Sequence, residues 1–473
     1  LGYKKDVFHF LHGDKYSTVV PNKENVEKTI QSYDGAVFGD YKTQFYIYGL
    51  KYLGYKYGHI FKDCICTEEE LSSYIDWTKS PGYTASVYGL QTKGDLIADQ
   101  GFLASDHNLN PEKTIPLVSV ANKVEPKLVV DINMGKIRHF FISEFHHFRE
   151  QIRFGKRASN RLKGLHWSSY GFSPFFGGVH RLAIDILQKP LRFFYDVSGW
   201  DKFLPILGDV YEVITYNMTI PESLIERYKW MVLNTVQFVC VLWDGDVVLK
   251  TYGNASGSGT TTRDNILAHI VIAVSLLSEA YYMKFEKLPN FRLLTEQVIR
   301  LFGDDSIYSI DECFDHVLTE GFIQGFFQKF GLKLKFFFGG IDYDIEKIQF
   351  LGFYFKKYKG FYIPKYDVSR LSLSMLHVNE KSDNLVAYVS KVFTLTIMSF
   401  GTDHFNDFLQ AFECLQQTLQ HETRPELETF KTIKLTHSLI ENFYIGTESS
   451  TWEFCFFDSH WRRWYKTTSL DDE

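Results

Sequence analysis

A chain of 473 residues with 45% hydrophobic and 17% aromatic residues is long enough for two or three lobes around a large shared core, and with 12 prolines it is neither disordered nor collagen-like. Its net charge of −6 argues against a nucleic-acid grip until it is counted locally: Ser119 to Tyr195 holds 13 Lys/Arg against 5 Asp/Glu, in a chain with 51 against 57 overall. Concentrated basic charge is expected of a phosphate channel or, equally on charge alone, of a solvated face.

The chain opens LGYKKDVFHF, without Met or an apolar signal core, as expected of a proteolytic product or an artificial boundary rather than a targeting segment. The first 120 residues are rich in Tyr, Gly and Lys. Cys64-Ile65-Cys66 has no second Cys/His pair at zinc spacing, and the six scattered cysteines (with Cys240, Cys313, Cys414 and Cys455) suit a reducing compartment. Residues 128–155 fit a strand followed by a helix, and Leu191 to Tyr195 reads as a strand that delivers Asp196 at its end. Trp230–Trp243 and Ile266–Tyr282 are apolar but short for a membrane span, so no transmembrane segment is expected. Helical spacing at Ile266, Ile270, Ala273 and Leu277 predicts a long helix over 260–282.

Residues 297–302 and 306–310 alternate around Gly303-Asp304-Asp305, predicting a hairpin with acids at its turn. A helix over 314–330, strands over 333–338 and 348–355 (interrupted by Gly352) and a mainly helical last hundred residues follow, closing in the aromatic stretch Trp452 to Tyr465. If alternation holds, Lys333 and Lys335 share a face of their strand.

Adjacent carboxylates at a turn repel one another, a conflict that a hard cation removes. Gly-Asp-Asp alone is an ordinary turn sequence. It gains meaning from a second acid, Asp196 in DVSGWD at 196–201, and from the glycine-rich GNASGSGTTTRDN at 253–265. In this order the three segments resemble motifs A, B and C of the RNA-dependent RNA polymerases of positive-strand RNA viruses. KVEPK at 123–127 with Lys136-Ile137-Arg138 resembles motif F, TKSPG at 78–82 motif G, and FLGF at 350–353 the primer grip. GFSPFFGGVHRL at 171–182 is similar to the segment before motif A in astrovirus-like members of the picornavirus-like supergroup.

The resemblance implies an α+β closed right hand: fingers at 1–155 and 236–252, a palm with an antiparallel sheet at 156–235 and 253–360, and a helical thumb at 361–473. It implies two Mg²⁺ ions, replaceable by Mn²⁺, on Asp196, Asp304 and Asp305, with Lys335 favoured over Lys333 and Lys347 as general acid. Lys123, Lys127 and Arg138 would bind the triphosphate. Asp201, Ser256, Thr261 and Asn265 would hold the nucleotide, and Ser80, Gly82 and Gly257 would touch RNA. The implied partners are an RNA template and primer strand, ribonucleoside triphosphates and a candidate protein primer, in replication complexes that other proteins hold to membranes in the cytoplasm of an infected cell. A reverse transcriptase and a catalytically inactive RNA-binding relative are the alternatives. Asp201 with Asn265 argues against the first, and the full set of acids against the second. None of the 16 histidines falls inside motifs A to C, and all are read as structural.

Overall fold

A computed structural model describes residues 16–18, 27, 37–123, 125–134, 138–242, 244–315, 317–376 and 385–446. Val124, Lys136-Ile137, Cys455 and the Trp452–Tyr465 stretch lie outside the described residues. In chain order the strands are Tyr16–Thr18 (β1), Leu117–Asn122 (β2), Pro126–Leu128 (β3), His139–Ile142 (β4), Leu191–Ser198 (β5), Phe238–Val241 (β6) and Val247–Lys250 (β7). Val298–Phe302 (β8), Asp305–Ile310 (β9), Lys333–Ile341 (β10), Gln349–Phe350 (β11), Phe353–Tyr358 (β12) and Phe361–Tyr366 (β13) follow. The helices that matter below are Gln44–Tyr57 (α1), Glu68–Tyr74 (α2), Phe145–Arg161 (α3), Gly178–Ile186 (α4), Thr261–Phe285 (α5), Glu320–Lys329 (α6), Val368–Leu376 (α7), Leu385–Met398 (α8), Phe405–Leu419 (α9) and His437–Ile445 (α10).

The central sheet has the order β10-β5-β9-β8 and is antiparallel throughout. Alternation along β5 sends Phe193, Tyr195 and Val197 into a large core with α1, α5 and α6, while Phe194 joins a second core with α4 and β11–β12. The sheet is therefore covered on both faces. Each side chain fully buried there contributes roughly 1.5–3 kcal/mol.

Helix α5 is buried along nearly its whole length, as a helix apolar on all sides must be. With 25 residues it is longer than its apolar run suggests, and it has the length and composition to cross a membrane. In this fold 78% of its most apolar window is buried, so it is the core helix. α1 lies so close that a Cβ on Gly49 would stand 2.6 Å from the Val271 carbonyl oxygen.

A second sheet, β4-β2-β6-β7, joins residues 117–142 to 238–250 through the parallel pair β2/β6. The C-terminal unit packs its own core from β13 and α7–α10, including Ile363, Leu371, Val392, Phe412 and Ile440.

Three expected elements differ. β5 runs past Asp196 to Ser198 because β10 pairs with it that far. The helix expected from 314 starts at Glu320, where the Thr319 hydroxyl caps it by accepting from the Phe322 N–H at 3.3 Å. The strand expected over 348–355 is a hairpin, β11 folding onto β12 through Leu351-Gly352, both at positive φ (49° and 80°). A two-residue turn with both residues in that region matches strand twist, and here it holds a leucine where glycine is usual.

Candidate active site

Asp196 sits inside β5, opposite Phe336 of β10. Between Leu334 and Phe336 the register slips, and Lys335 is the extra residue of the bulge. Exposed Lys333 and Lys335 still alternate with buried Leu334, and Lys335 Nζ donates to Asp196 Oδ2 at 2.8 Å. On the other side of β5, β8 and β9 form the expected hairpin. Its two-residue turn begins at Gly303 with φ +66°, which a side chain would strain.

The loop before α5 closes the third side. Asp201 accepts two hydrogen bonds, from Ser256 Oγ and from Asn265 Nδ2, each 2.7 Å. Asn254 Nδ2 donates to Asn265 Oδ1 at 3.0 Å, which fixes the direction of the Asn265 amide. Gly257 has φ +125°, and a Cβ there would stand 2.2 Å from the Phe141 carbonyl oxygen, so the loop lies flat on β4. The Phe141 N–H donates to the Ser256 carbonyl at 2.8 Å.

These groups open into one cavity of about 1270 Å³, lined by Lys123, Arg138, Asp196, Asp201, Ser256, Gly257, Asp304, Asp305 and Lys335 among others. Asp304 and Asp305 line it and remain exposed to solvent. Desolvation raises the Asp304 carboxyl above its usual range, helped by Asp201 and Asp196. It pushes Asp305 up to about 7, helped by Asp304 and Asp196 and opposed by Arg370 and Lys335.

The profile of the viral RNA-dependent RNA polymerase family matches residues 126–415, more than half of the chain. The chain belongs to that family. It is similar to the non-structural polyprotein 1AB of Turkey astrovirus 1, at 25% identity over 255 residues that cover 52% of this chain and 16% of the polyprotein. The same polyprotein of Ovine astrovirus 1 is 23% identical over 308 residues, 62% of this chain and 22% of the other. That of Turkey astrovirus 2 is 25% identical over 207 residues, 38% and 12%. The chain thus spans less than a quarter of the length of the relatives it matches. Neither the family nor these names supports the protein-primer expectation.

Not every residue expected to serve a polymerase reaches the cavity. Asn265 meets it through Asp201 and Asn254, both of which line it. The Thr261 hydroxyl stitches its own loop, donating to the Ala255 and Ser258 carbonyls and accepting from the Gly257 N–H. Lys127 is held with Lys123 on Glu125, at 3.5 and 3.4 Å. Ser80 and Gly82 do not line the cavity. They belong to a loop fastened to the start of α3, where the Phe145 N–H donates to the Pro81 carbonyl. Cys64 and Cys66 are buried and point at the carbonyls of Phe154 and Ile152.

The basic segment is not one stripe either. Arg149 and Arg153 engage Glu68, Arg153 also engages Glu150, and Arg157 engages Glu70, so much of its charge answers the acidic first turn of α2. Polar groups beyond the expected set also line the cavity, among them Lys202, Asn254 and, from α7, Arg370. His269 was also missed. It lies one turn beyond Asn265 on α5, and the i, i+4 spacing places it on the same face of the helix.

Asp196, Asp304 and Asp305 are hard oxygen donors whose mutual repulsion a divalent cation would relieve, so their chemistry fits Mg²⁺ or Mn²⁺. As they stand, no three His, Cys, Asp or Glu side chains among the described residues are gathered closely enough to hold an ion, and Asp196 is turned to Lys335.

Proposed function

We propose that the chain copies an RNA template into RNA from ribonucleoside triphosphates, within the replication machinery of an infected cell. The observation that carries this is the preformed Asp201–Ser256–Asn265 cluster beside the three acids in one cavity. The proposed right hand has fingers at 1–155 and 236–252, a palm at 156–235 and 253–360, and a thumb from 361. Pairing of β2 with β6 supports grouping 236–252 with the first segment, and the separate C-terminal core supports the thumb.

In the proposed reaction the primer 3′-hydroxyl releases its proton to solvent, its oxygen attacks the α-phosphorus, the α–β phosphoanhydride bond breaks, and pyrophosphate leaves with a proton from Lys335 Nζ. Lys123 and Arg138 bind the triphosphate, Arg138 by the fork geometry of its guanidinium. Asp201, held by Ser256 and Asn265, accepts from the ribose 2′-hydroxyl. Divalent ions on Asp196, Asp304 and Asp305 supply charge neutralisation at the attacking and leaving oxygens.

Purified protein with Mg²⁺ or Mn²⁺ is expected to extend an RNA primer on an RNA template, and Asp304→Ala to abolish extension. Template-dependent extension that survives Asp304→Ala would remove the site from the proposal. A preference for deoxynucleotides would favour a reverse transcriptase instead.

A further inference from the structure

Three buried side chains beneath the acids form a single line of hydrogen bonds. Tyr308 Oη on β9 lies 2.6 Å from Tyr195 Oη on β5, Tyr195 Oη lies 2.8 Å from His269 Nε2 on α5, and His269 Nδ1 lies 2.8 Å from the Gly303 carbonyl oxygen. The line therefore touches the strand of Asp196, the helix of Asn265 and the turn of Asp304. Its polarity is determined. A carbonyl oxygen only accepts, so Nδ1 carries the proton. His269 is fully buried, and burial drops its pKa to about 4, so the ring is neutral and Nε2 is bare. Nε2 then accepts from the Tyr195 hydroxyl, and Tyr195 in turn accepts from Tyr308. Any reversal would set two lone pairs against each other at Gly303.

The ring is also held from the side. Trp200, the neighbour of Asp201, packs on it with ring centroids 4.5 Å apart. Gly303 needs this outside hold because nothing lies within 4 Å of where its Cβ would be, and its left-handed conformation is free to a glycine.

We propose that His269 is a positioning residue that fixes the Gly303-Asp304 turn relative to β5, with the Gly303 carbonyl setting the imidazole tautomer and Tyr195 donating to the bare Nε2. It rests on the polymerase reading for its catalytic consequence, but not for the tautomer itself. Asparagine can place its Nδ2 where His269 has Nδ1, whereas glutamine reaches toward the Nε2 position and leaves Gly303 without a donor.

The test combines nucleotide-incorporation kinetics with histidine ¹⁵N NMR on the full chain. His269→Gln and His269→Phe are expected to lower kcat by about 10- to 100-fold with nucleotide KM unchanged and melting temperature near wild type, and His269→Asn to recover most of the loss. The wild-type spectrum should show an Nδ1-protonated neutral ring, assigned by its absence in His269→Asn. Tyr195→Phe keeps the ring volume and is expected to retain the Nδ1 signature while losing part of kcat, and it serves if His269→Phe does not fold. Unchanged kcat in His269→Phe, equal losses in the Asn and Gln variants, or an Nε2-protonated ring would each overturn the proposal. Wild-type protein that shows the Nδ1 signature but incorporates no ribonucleotide would overturn the polymerase reading and leave the tautomer claim standing.

Discussion

Asp201 accepts from two side chains that come from 55 and 64 residues further along the chain, which hold its carboxylate in one orientation. A group prepared in this way rejects a substrate lacking its partner hydroxyl. Asn265→Ala is therefore expected to narrow the preference for ribo- over deoxyribonucleotides by about 10-fold or more, measured as the ratio of the two kcat/KM values. Buried histidines set the acid limit of the fold. His147 and His166 are each lowered to about 4 by burial, against 6.5 when unfolded. Between those values the unfolded chain binds more protons, so their contribution to stability is full above pH 6.5 and is lost as pH falls toward 4. The melting temperature should fall between pH 7 and pH 5, and less steeply in His147→Gln, whose side chain does not titrate. At this scale the acids were legible because their spacing along the chain carries the pattern. His269 and Asn254 were not, because their roles lie in partners, Gly303 and Asn265, that only folding supplies. Lys335 was separable from Lys333 only by its contact with Asp196, which alternation along the strand does not reveal.

Among the elements, long periodic segments such as α5 and the β8–β9 hairpin were foreseen, and the errors fell at boundaries and turns. Gly352 was taken for a mere interruption because a leucine before it at positive φ is not a turn signal. Glycines separate the two roles of local backbone. Gly257→Ala would force a Cβ to 2.2 Å from the Phe141 carbonyl oxygen in a left-handed conformation, so it should displace the loop and lower incorporation by at least about 10-fold. Gly325, on the exposed side of α6 with nothing within 4 Å of its Cβ position, should do the opposite. Gly325→Ala is expected to stabilise the protein by about 0.4–1 kcal/mol, read from urea unfolding, with incorporation unchanged.

Over the whole molecule, charge is divided between scaffold and cavity in a way that a local count of Lys and Arg does not reveal. Arg157 is held by both Glu70 oxygens at 2.6 and 3.0 Å, whereas Arg138 and Arg370 line the cavity. Binding of single-stranded RNA should weaken with salt. Its logarithmic slope should shrink by about 0.7 for each phosphate contact removed by Arg370→Gln, and should stay the same in Arg157→Gln. The mainly helical character of the C-terminal unit was legible from periodicity, whereas the joining of 117–142 to 238–250 through a parallel strand pair was approached only by the grouping that the resemblance implies, because such pairing leaves no local signature. The measurement that bears most directly on the central claim is single-nucleotide incorporation on an RNA primer-template, with each of the four ribonucleotides set against each template base. Incorporation of the complementary ribonucleotide alone, lost in Asp304→Ala, is the expected result. Incorporation that ignores the template base, or that persists in Asp304→Ala, would contradict it.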